Sequence, residues 1–307
     1  MEILRLEDLE GHRGACVVAL GFFDGLHIGH AALFRKTVDE AKARGVTPCV
    51  LTFADNPLLK GGVRLCPEEE RLSRFADFGI ERVVTADFPT LSPLSPEEFV
   101  SQVLIEGLGA AAAVCGFNYR FGARAAGDAT LLESLLAAHS VPLYPVSEMT
   151  LGEKTVSTSE IKAALAAGDA STASAMLGRP YTLTGHVVHG KALGRKIGVP
   201  TANIPFPDRI FVPKRGVWAV RCDIDGIEEP ALGIANVGVR PTVEKTDADN
   251  CEVHFLDPVP ELYGRGMRVH FLSFIRPETV FSDLAALRAR IDLDKEIAKE
   301  YFANGMD

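Results

Sequence analysis

Short apolar runs separated by longer amphipathic stretches dominate the chain from residue 15 to about residue 177. Five of these runs show little polar alternation, as parallel strands do when helices cover both faces of their sheet. They lie at residues 15–23, 47–53, 82–85, 111–117 and 141–146. Between them, residues 30–44, 96–108 and 130–139 carry apolar side chains at helical spacing. The pattern predicts repeated βαβ units and an α/β domain with a doubly wound parallel sheet.

The pattern changes after Gly178 to short runs in which apolar and polar residues alternate. A turn signal, Asp225-Gly226, separates two of these runs. We therefore predict a small antiparallel β-barrel, followed by a terminal helix over residues 283–302 with Ser282 as its N-cap. The expected domains are 1–179 and 180–307, and a length of 307 residues also favours two domains.

Composition narrows the choice of partners. Lys and Arg number 32 against 41 Asp and Glu, for a net charge of −9, and no basic stripe indicates a nucleic-acid partner. Neither a signal peptide nor an apolar run near the roughly 18 residues of a membrane span is evident, so we expect a cytoplasmic protein without membrane contact. The six cysteines form no CxxC pair, which favours buried reduced thiols over disulfides or zinc ligands.

The segment GFFDGLHIGH, residues 21–30, joins the first predicted strand to the first helix, where open α/β sheets bind ligands. His27 and His30 are three residues apart, which brings both imidazoles to one side of the helix start. Together with free helix N–H groups they predict a phosphate site. Zinc is a weaker alternative, because no further ligands lie nearby in sequence. The predicted site consists of Gly21, Phe23, Asp24, Gly25, His27 and His30.

A second candidate site lies in GHVVHGKALGRKIGVPTANI, residues 185–204. Glycines that let a backbone cover phosphates alternate there with basic side chains, and hard oxygen ligands suited to Mg²⁺ follow. The predicted ATP-binding residues are Gly190, Lys191, Gly194, Arg195, Lys196, Thr201 and Asn203, the last two also being metal ligands. A plain glycine-rich hairpin is the alternative.

Both candidate sites carry family resemblances. HxGH resembles the nucleotidyltransferase signature, and with LTFADNP (51–57), GFNYRFG (116–122) and VSTSEIK (156–162) the first half resembles bacterial FAD synthetases. The second half resembles riboflavin kinases through PTAN (200–203), CEVHFLD (251–257) and residues 274–294. The whole chain thus resembles the bifunctional riboflavin kinase/FAD synthetase (FMN adenylyltransferase) family.

This resemblance implies two ATP-dependent reactions. The C-terminal domain would phosphorylate riboflavin to FMN, and the N-terminal domain would adenylylate FMN to FAD with release of pyrophosphate, using Mg²⁺ or alternatively Mn²⁺. It implies catalytic roles for His27 and His30, and for Glu252 as the general base. The other implied contacts are Ser157, Thr158, Ser159 and Lys162 to ATP; Asn56, Asn118, Arg120 and Phe121 to the adenylyltransferase flavin; and Arg240, Thr242, Arg276 and Phe281 to the kinase flavin.

Three positions depart from the family pattern. Lys162 cannot form the bidentate fork of an arginine, Glu160 places a carboxylate near the proposed triphosphate site, and Asn56 stands where His or Gln is common. They motivate a second hypothesis, a riboflavin kinase whose N-terminal domain only binds nucleotide or flavin; a non-enzymatic flavin sensor is a third. Oligomeric state is not indicated.

The pattern of the strand that carries Glu252 does not decide the roles of two of its residues. Taken alone, Glu252 fits the solvent face of an alternating strand. His254 shares that face and is either a second site residue or merely exposed.

Overall fold

The chain is described by a computed structural model that covers residues 1–9, 14–53, 62–189, 201–240 and 248–305, without the side chains of Arg240 and Ala248. It divides into two compact units. The first comprises Met1–Val63 and Glu68–Ser157, and the second comprises Arg64–Pro67 and Thr158–Asp307. Residues 158–179 therefore pack with the second unit, and the division after residue 179 stays a prediction.

A six-stranded parallel sheet forms the centre of the first unit. Its strands are β1 (Glu2–Arg5), β2 (Cys16–Leu20), β3 (Thr47–Phe53), β4 (Arg82–Ala86), β5 (Ala110–Gly116) and β6 (Leu143–Val146), in the order β1-β4-β3-β2-β5-β6. This confirms the predicted doubly wound sheet. The sequence pattern does not predict β1, a four-residue edge strand that contains Glu2 and Arg5 and never becomes fully buried.

Helices cover both faces of this sheet. They are α1 (Ile28–Arg44), α2 (Glu68–Arg74), α3 (Phe88–Leu91), α4 (Pro96–Glu98), which continues as a π-helix over Phe99–Gly107, and α5 (Ala129–Ala137). On one face Leu33 and Ala41 of α1 pack against Val17 and Ala112, and on the other face the helices meet a second apolar cluster. Burial on both faces explains why the strands read as continuous apolar runs. A two-residue pair, β7 (Thr150–Leu151) and β8 (Lys154–Thr155), completes the unit.

The strand order reverses at β2. The chain passes from β2 to β3 on one side, and β5 later pairs with β2 on the other side. Such a reversal leaves a crevice at the carboxyl ends of the two diverging strands, where α/β proteins bind ligands. Residues 21–30 follow β2 and residues 117–128 follow β5, so the topology brings two of the predicted binding segments to this edge.

The second unit is built around an antiparallel sheet. Helices α6 (Thr158–Ala167) and α7 (Ala170–Leu177) precede strands β9 (Tyr181–His186), β10 (Ala202–Pro205), β11 (Gly216–Ile224), β12 (Ile227–Arg240), β13 (Ala248–Phe255) and β14 (Gly266–Arg276), and helix α8 (Leu284–Ala303) ends the unit. The strand order is β10-β13-β12-β11-β14-β9. A bridge between Val188, just after β9, and Asn203 of β10 joins the two edges, in agreement with the predicted barrel.

The two faces of the barrel sheet are buried in different ways. Trp218 points inward with no exposed surface, packs edge-on against Phe271 and Phe274, and donates its indole N–H to the Lys214 carbonyl at 2.9 Å. On the other face, Ile291 and Ala298 of α8 belong to an apolar cluster with strand residues such as Ile234. Helix α8 therefore covers a sheet face that would otherwise meet water.

The predicted N-cap of α8 is wrong by one residue. Asp283 is the cap, because its carboxylate accepts the Ala286 N–H at 2.8 Å, while the Ser282 hydroxyl donates to that carboxylate at 3.1 Å. A carboxylate also interacts favourably with the positive end of the helix dipole, an advantage that a serine lacks.

All six cysteines are buried and free, as predicted: Cys16, Cys49, Cys66, Cys115, Cys222 and Cys251. Burial raises the pKa of Cys115 to about 11 and raises the pKa values of Cys222 and Cys251 as well. In the described residues, no helix is both long and apolar enough to cross a membrane.

Helix α8 is fixed to the sheet by a buried ion pair, which predicts a large stability effect. Asp294 has no exposed surface and accepts from Arg276 of β14 and from Arg290, in each case at 2.9 Å. Asp294→Ala would leave guanidinium groups without their carboxylate, so we expect a loss of about 3–5 kcal/mol of unfolding free energy.

The measurement is urea unfolding followed by the fluorescence of Trp218, the only tryptophan, which reports on the second unit. The control is Glu296→Ala, which removes an exposed partner of Lys299 and should leave the midpoint unchanged. Equal midpoints for both variants would contradict the role given to the buried pair.

Candidate active sites

The turn between β2 and α1 has an uncommon backbone. Phe23 and Leu26 adopt left-handed conformations at φ values of 60° and 48°, and Gly25 lies between them at 75°. Left-handed conformations are costly for residues with large side chains. Non-glycine residues that adopt them nevertheless are found most often at functional sites. The 3₁₀ turn Asp24–Leu26 thus forms a fixed bend that leads directly into α1.

The two histidines of this turn lie face to face. His27 is the N-cap of α1, and its Nδ1 accepts the backbone N–H of His30 at 3.3 Å. Their rings stack with centroids 3.5 Å apart and an angle of 19° between the planes. A Cβ on Gly29 would lie 3.1 Å from the His27 ring, which makes glycine the fitting residue at that position. The expectation that both imidazoles lie on one side of the helix start is confirmed.

The environment of these rings favours an anion. Burial, followed by the positive fields of His27 and Arg71, holds the pKa of His30 well below its ordinary value of 6.5. His30 Nδ1 is buried and makes no hydrogen bond to any described residue. The first N–H groups of α1, those of Ile28 and Gly29, have no acceptor within the helix by geometry. A phosphate could therefore receive both ring and backbone hydrogen bonds here.

Other predicted residues of the first site are spread over several segments. Asn118 and Arg120 are exposed, and Arg120 lies 3.9 Å from the Asp128 carboxylate. Phe121 is instead buried against Phe99 and Tyr119, and its backbone pairs with Gly127 in both directions. The segment is thus a closed loop with an apolar base and polar side chains outside.

The serine- and threonine-rich segment crosses the division between the units. Ser157 ends the first unit, whereas Thr158, Ser159 and Lys162 lie at the start of α6 in the second. Several predicted positions fall outside the described residues, namely Asn56, Gly190, Lys191, Gly194, Arg195, Lys196, Thr242 and the side chain of Arg240. The roles given to all these residues stay predictions.

In the second unit, Glu252 occupies the centre of a polar row. On β13 it pairs directly with Asn203 of β10 on one side and with Asn236 of β12 on the other. Directly opposed residues of antiparallel strands point to the same face, so the carboxylate is flanked by two amides. Asn236 is not among the predicted site residues, and the strand register identifies it.

The side chain of Asn203 hydrogen-bonds to two further polar side chains, those of Asn250 and Thr201. Its Oδ1 accepts from Asn250 Nδ2 at 3.0 Å, and its Nδ2 donates to the Thr201 hydroxyl at 3.4 Å. Asn250 Oδ1 is buried and has no hydrogen-bond partner among the described residues. Hydroxyl, amide and carboxylate oxygens are the donors that Mg²⁺ accepts. No group of three or more His, Cys, Asp or Glu in the described part of the chain could hold a metal ion.

A cavity of about 230 Å³ lies between the outer sheet face and α8. Its wall combines apolar side chains with a few polar groups, which is the composition expected of a pocket for a small organic ligand. The lining residues are Val217, Ile234, Asn236, Glu252, His254, Arg276, Glu278, Thr279, Phe281, Leu287, Ile291 and Asp294.

Four of these lining residues are candidates in the sequence, namely Glu252, His254, Arg276 and Phe281. His254 is buried and lines the cavity, so its exposed alternative is wrong; burial and the charge of Lys295 lower its pKa to about 4. The guanidinium of Arg276 is held by Asp294 and lies 5.6 Å from the Phe281 ring. Both predicted flavin contacts therefore face the same space as Glu252.

Comparison with known proteins identifies the family. A family model for FAD synthetase matches residues 10–160, and one for riboflavin kinase matches residues 177–302. A bifunctional riboflavin kinase/FMN adenylyltransferase of Pseudomonas fluorescens is 35% identical over 305 residues, with 97% of each chain covered. The chain belongs to the bifunctional riboflavin kinase/FMN adenylyltransferase family.

A second relative and a solved structure are also similar to this riboflavin kinase/FMN adenylyltransferase family member over nearly its whole length. The Escherichia coli K12 protein of the same description is 35% identical over 294 residues and covers 94% of this chain and 93% of its own. A crystal structure described as a macrolide-efflux protein of Streptococcus pneumoniae superposes with a TM-score of 0.87 at 29% identity, over 97% of this chain and 99% of the other. The FAD synthetase region contains the paired histidines, and the riboflavin kinase region contains Asn203 and Glu252.

The low pKa of His30 predicts how the stability of the first unit depends on pH. Because the folded state disfavours the protonated ring, His30 contributes stability above the unfolded value of 6.5, and this contribution is lost as the pH falls below it. In an NMR titration, the His30 ring should remain neutral through the range in which the urea-unfolded protein protonates. A His30 that titrates together with the unfolded chain would contradict the burial described here.

Proposed function

We propose that this member of the family phosphorylates riboflavin at the Glu252 cavity and adenylylates the resulting FMN at the His27–His30 turn. The observation that carries the first assignment is the row Asn203–Glu252–Asn236, of which Glu252 and Asn236 line the cavity under α8. The paired histidines lie in the first unit and Glu252 lies in the second, so the proposal assigns each reaction its own central residues. The division into domains 1–179 and 180–307 is part of this proposal.

At the kinase site, Glu252 acts as the general base. Its carboxylate takes the proton of the ribityl 5′-hydroxyl, the hydroxyl oxygen forms a bond to the γ-phosphorus of ATP, and ADP leaves. The apolar lining residues, including Ile234, Leu287 and Ile291, suit the isoalloxazine ring, and Phe281 and Arg276 border it. Positioning supplies most of the rate in such a transfer, because the protein has little covalent chemistry to perform.

Mg²⁺ is the proposed cation of the kinase site. Thr201 and Asn203 would hold it, and the Asn250 amide fixes the orientation of the Asn203 side chain. When bound, the cation neutralises phosphate charge. The donor set consists of hard oxygen groups, which supports Mg²⁺ or Mn²⁺ over softer metals.

At the adenylyltransferase site, the chain binds and orients phosphates. A phosphate oxygen of FMN forms a bond to the α-phosphorus of ATP, and pyrophosphate leaves. His27, His30 and the first N–H groups of α1 hold the ATP phosphates, and Lys162 with Ser157, Thr158 and Ser159 is proposed to add further contacts. Gly21, Phe23, Asp24 and Gly25 shape the turn. Asn56, Asn118, Arg120 and Phe121 are the proposed flavin contacts.

We place the protein in the cytoplasm, with riboflavin, FMN and ATP as its small-molecule partners. Six reduced, buried thiols suit a reducing compartment. The net charge of −9 supports the absence of a nucleic-acid partner.

Separate sites predict separable activities. Glu252→Gln removes the base and should lower riboflavin phosphorylation by about 10²–10⁴-fold, while FAD formation from supplied FMN continues. His30→Asn should do the reverse. The measurement is product chromatography after incubation with ATP, Mg²⁺ and either riboflavin or FMN.

The control for Glu252 is Glu229→Gln, an exposed glutamate on β12 that should leave both activities unchanged. If each variant lost both products together, the two-site proposal would fail. FMN without any FAD from the unmodified protein would favour a kinase with a silent first domain.

The proposed cation site predicts a local spectroscopic effect. With ADP present, Mn²⁺ should broaden the backbone amide resonance of Glu252, and Asn203→Ala should raise the Mn²⁺ concentration required by roughly tenfold or more. Asn304→Ala, at the far end of α8, is the control. Unchanged broadening in Asn203→Ala would remove Asn203 from the metal site.

A further inference from the structure

A fully buried arginine lies beside the histidine turn. Arg71 of α2 has no exposed surface, although it is a long charged residue. Burying a guanidinium is costly unless its N–H groups find acceptors, so such a residue normally serves a defined purpose. No motif of the sequence points to it, and the mechanism above does not use it.

The guanidinium of Arg71 connects the ends of two strands. It donates to the Phe22 carbonyl at 2.7 Å, to the Thr52 hydroxyl at 2.9 Å and to the Phe53 carbonyl at 2.7 Å. The Thr52 hydroxyl in turn donates to the Phe22 carbonyl at 3.0 Å. Thr52 and Phe53 end β3, and Phe22 follows β2, so these bonds close the carboxyl edge of the sheet next to the strand-order reversal.

These bonds fix the residue before the left-handed turn. The guanidinium also lies over the Phe22 ring, with 4.8 Å between the Arg71 Cζ and the ring centroid. The next residue, Phe23, has the left-handed backbone and packs its ring edge-on against His30 at 5.2 Å. A path of direct contacts therefore runs from Arg71 through Phe22 and Phe23 to His30.

We propose that Arg71 is a positioning residue for adenylyl transfer. Its planar fork holds the Phe22 and Phe53 carbonyls in one arrangement, and the turn can then present His27 and His30 to the ATP phosphates in a single geometry. The inference rests on the proposed function of the two histidines. It also accounts for the choice of arginine, since a lysine carries the same charge but cannot reach several acceptors with a rigid plane.

Arg71→Lys is the decisive variant, because it keeps the buried charge and removes the fork. We expect kcat and kcat/KM for FMN adenylylation to fall together by about 10²-fold, as expected when orientation is lost in the transition state. Riboflavin phosphorylation, which takes place in the other unit, should be unchanged and confirms that the variant is folded there. Arg74→Met is the control on the same helix; it breaks an ion pair with Glu70 and should retain both activities.

A second variant tests the connection from the strand side. Thr52→Val keeps the shape of the side chain and removes the hydroxyl that bridges Arg71 and Phe22, so we expect a loss of roughly tenfold in kcat. Its loss should be less than additive with that of Arg71→Lys, because both changes break one network. Thr85→Val is the matched control: Thr85 sits opposite Thr52 on β4 and donates to the Leu4 carbonyl instead.

The titration of His30 gives a second readout, which does not require turnover, of the contact between Arg71 and the turn. His27 from the helix cap and Arg71 from α2 are the charged groups that act on this ring. Arg71→Met removes a positive charge, so the pKa of His30 should rise, whereas Arg71→Lys should largely retain the low value. NMR of the histidine rings measures both, whether or not the variants turn over.

Three results would overturn the inference: full adenylylation by Arg71→Lys, an equal loss in Arg74→Met, or strictly additive losses for Thr52 and Arg71. Failure of the unmodified protein to form FAD from FMN would instead overturn the proposed function. The two failures are distinguishable, because only the second appears without any substitution.

Discussion

A β-strand directs successive side chains to opposite faces, and the chemistry of each unit depends on what covers those faces. In the first unit helices bury both faces, so the central strands are mainly apolar and charged groups gather where those strands end. In the second unit one face fills the barrel interior around Trp218. The other face carries Asn203, Glu252 and Asn236, and α8 covers it without filling the space. The first site is therefore at a sheet edge and the second is on a sheet face.

Much of this fold could be predicted from local patterns. The five parallel strands β2 to β6, the change to alternating strands after Gly178 and the terminal helix all follow from the pattern of the apolar residues. The edge strand β1 could not, because a half-exposed strand of four residues has no distinctive period. The cap of α8 was misplaced because Ser282 and Asp283 are both good caps, and only the direction of their hydrogen bonds separates them.

The sites were predictable to the extent that they lie within short motifs. His27 with His30, and Asn203 with Thr201, are close in sequence, and their spacing indicates their proximity. Arg71 is 49 residues from Phe22, and Asn250 is 47 residues from Asn203, so nothing local points to either contact. Likewise, His254 is buried in a cavity that α8 helps to line, and the alternation of residues along its own strand does not show that a helix covers this face. Residues that support a site from a distant element require the tertiary structure.

The distribution of thiols has a consequence for chemical modification. Alkylation and oxidation both require a thiolate that a reagent can reach, and here all six cysteines are buried, and the pKa values of four of them, Cys49, Cys115, Cys222 and Cys251, are raised. None of the six belongs to either proposed site. Sensitivity of the folded protein to thiol reagents would therefore report local opening of a core, and the rate of labelling at Cys115 or Cys251 would measure how often each unit opens.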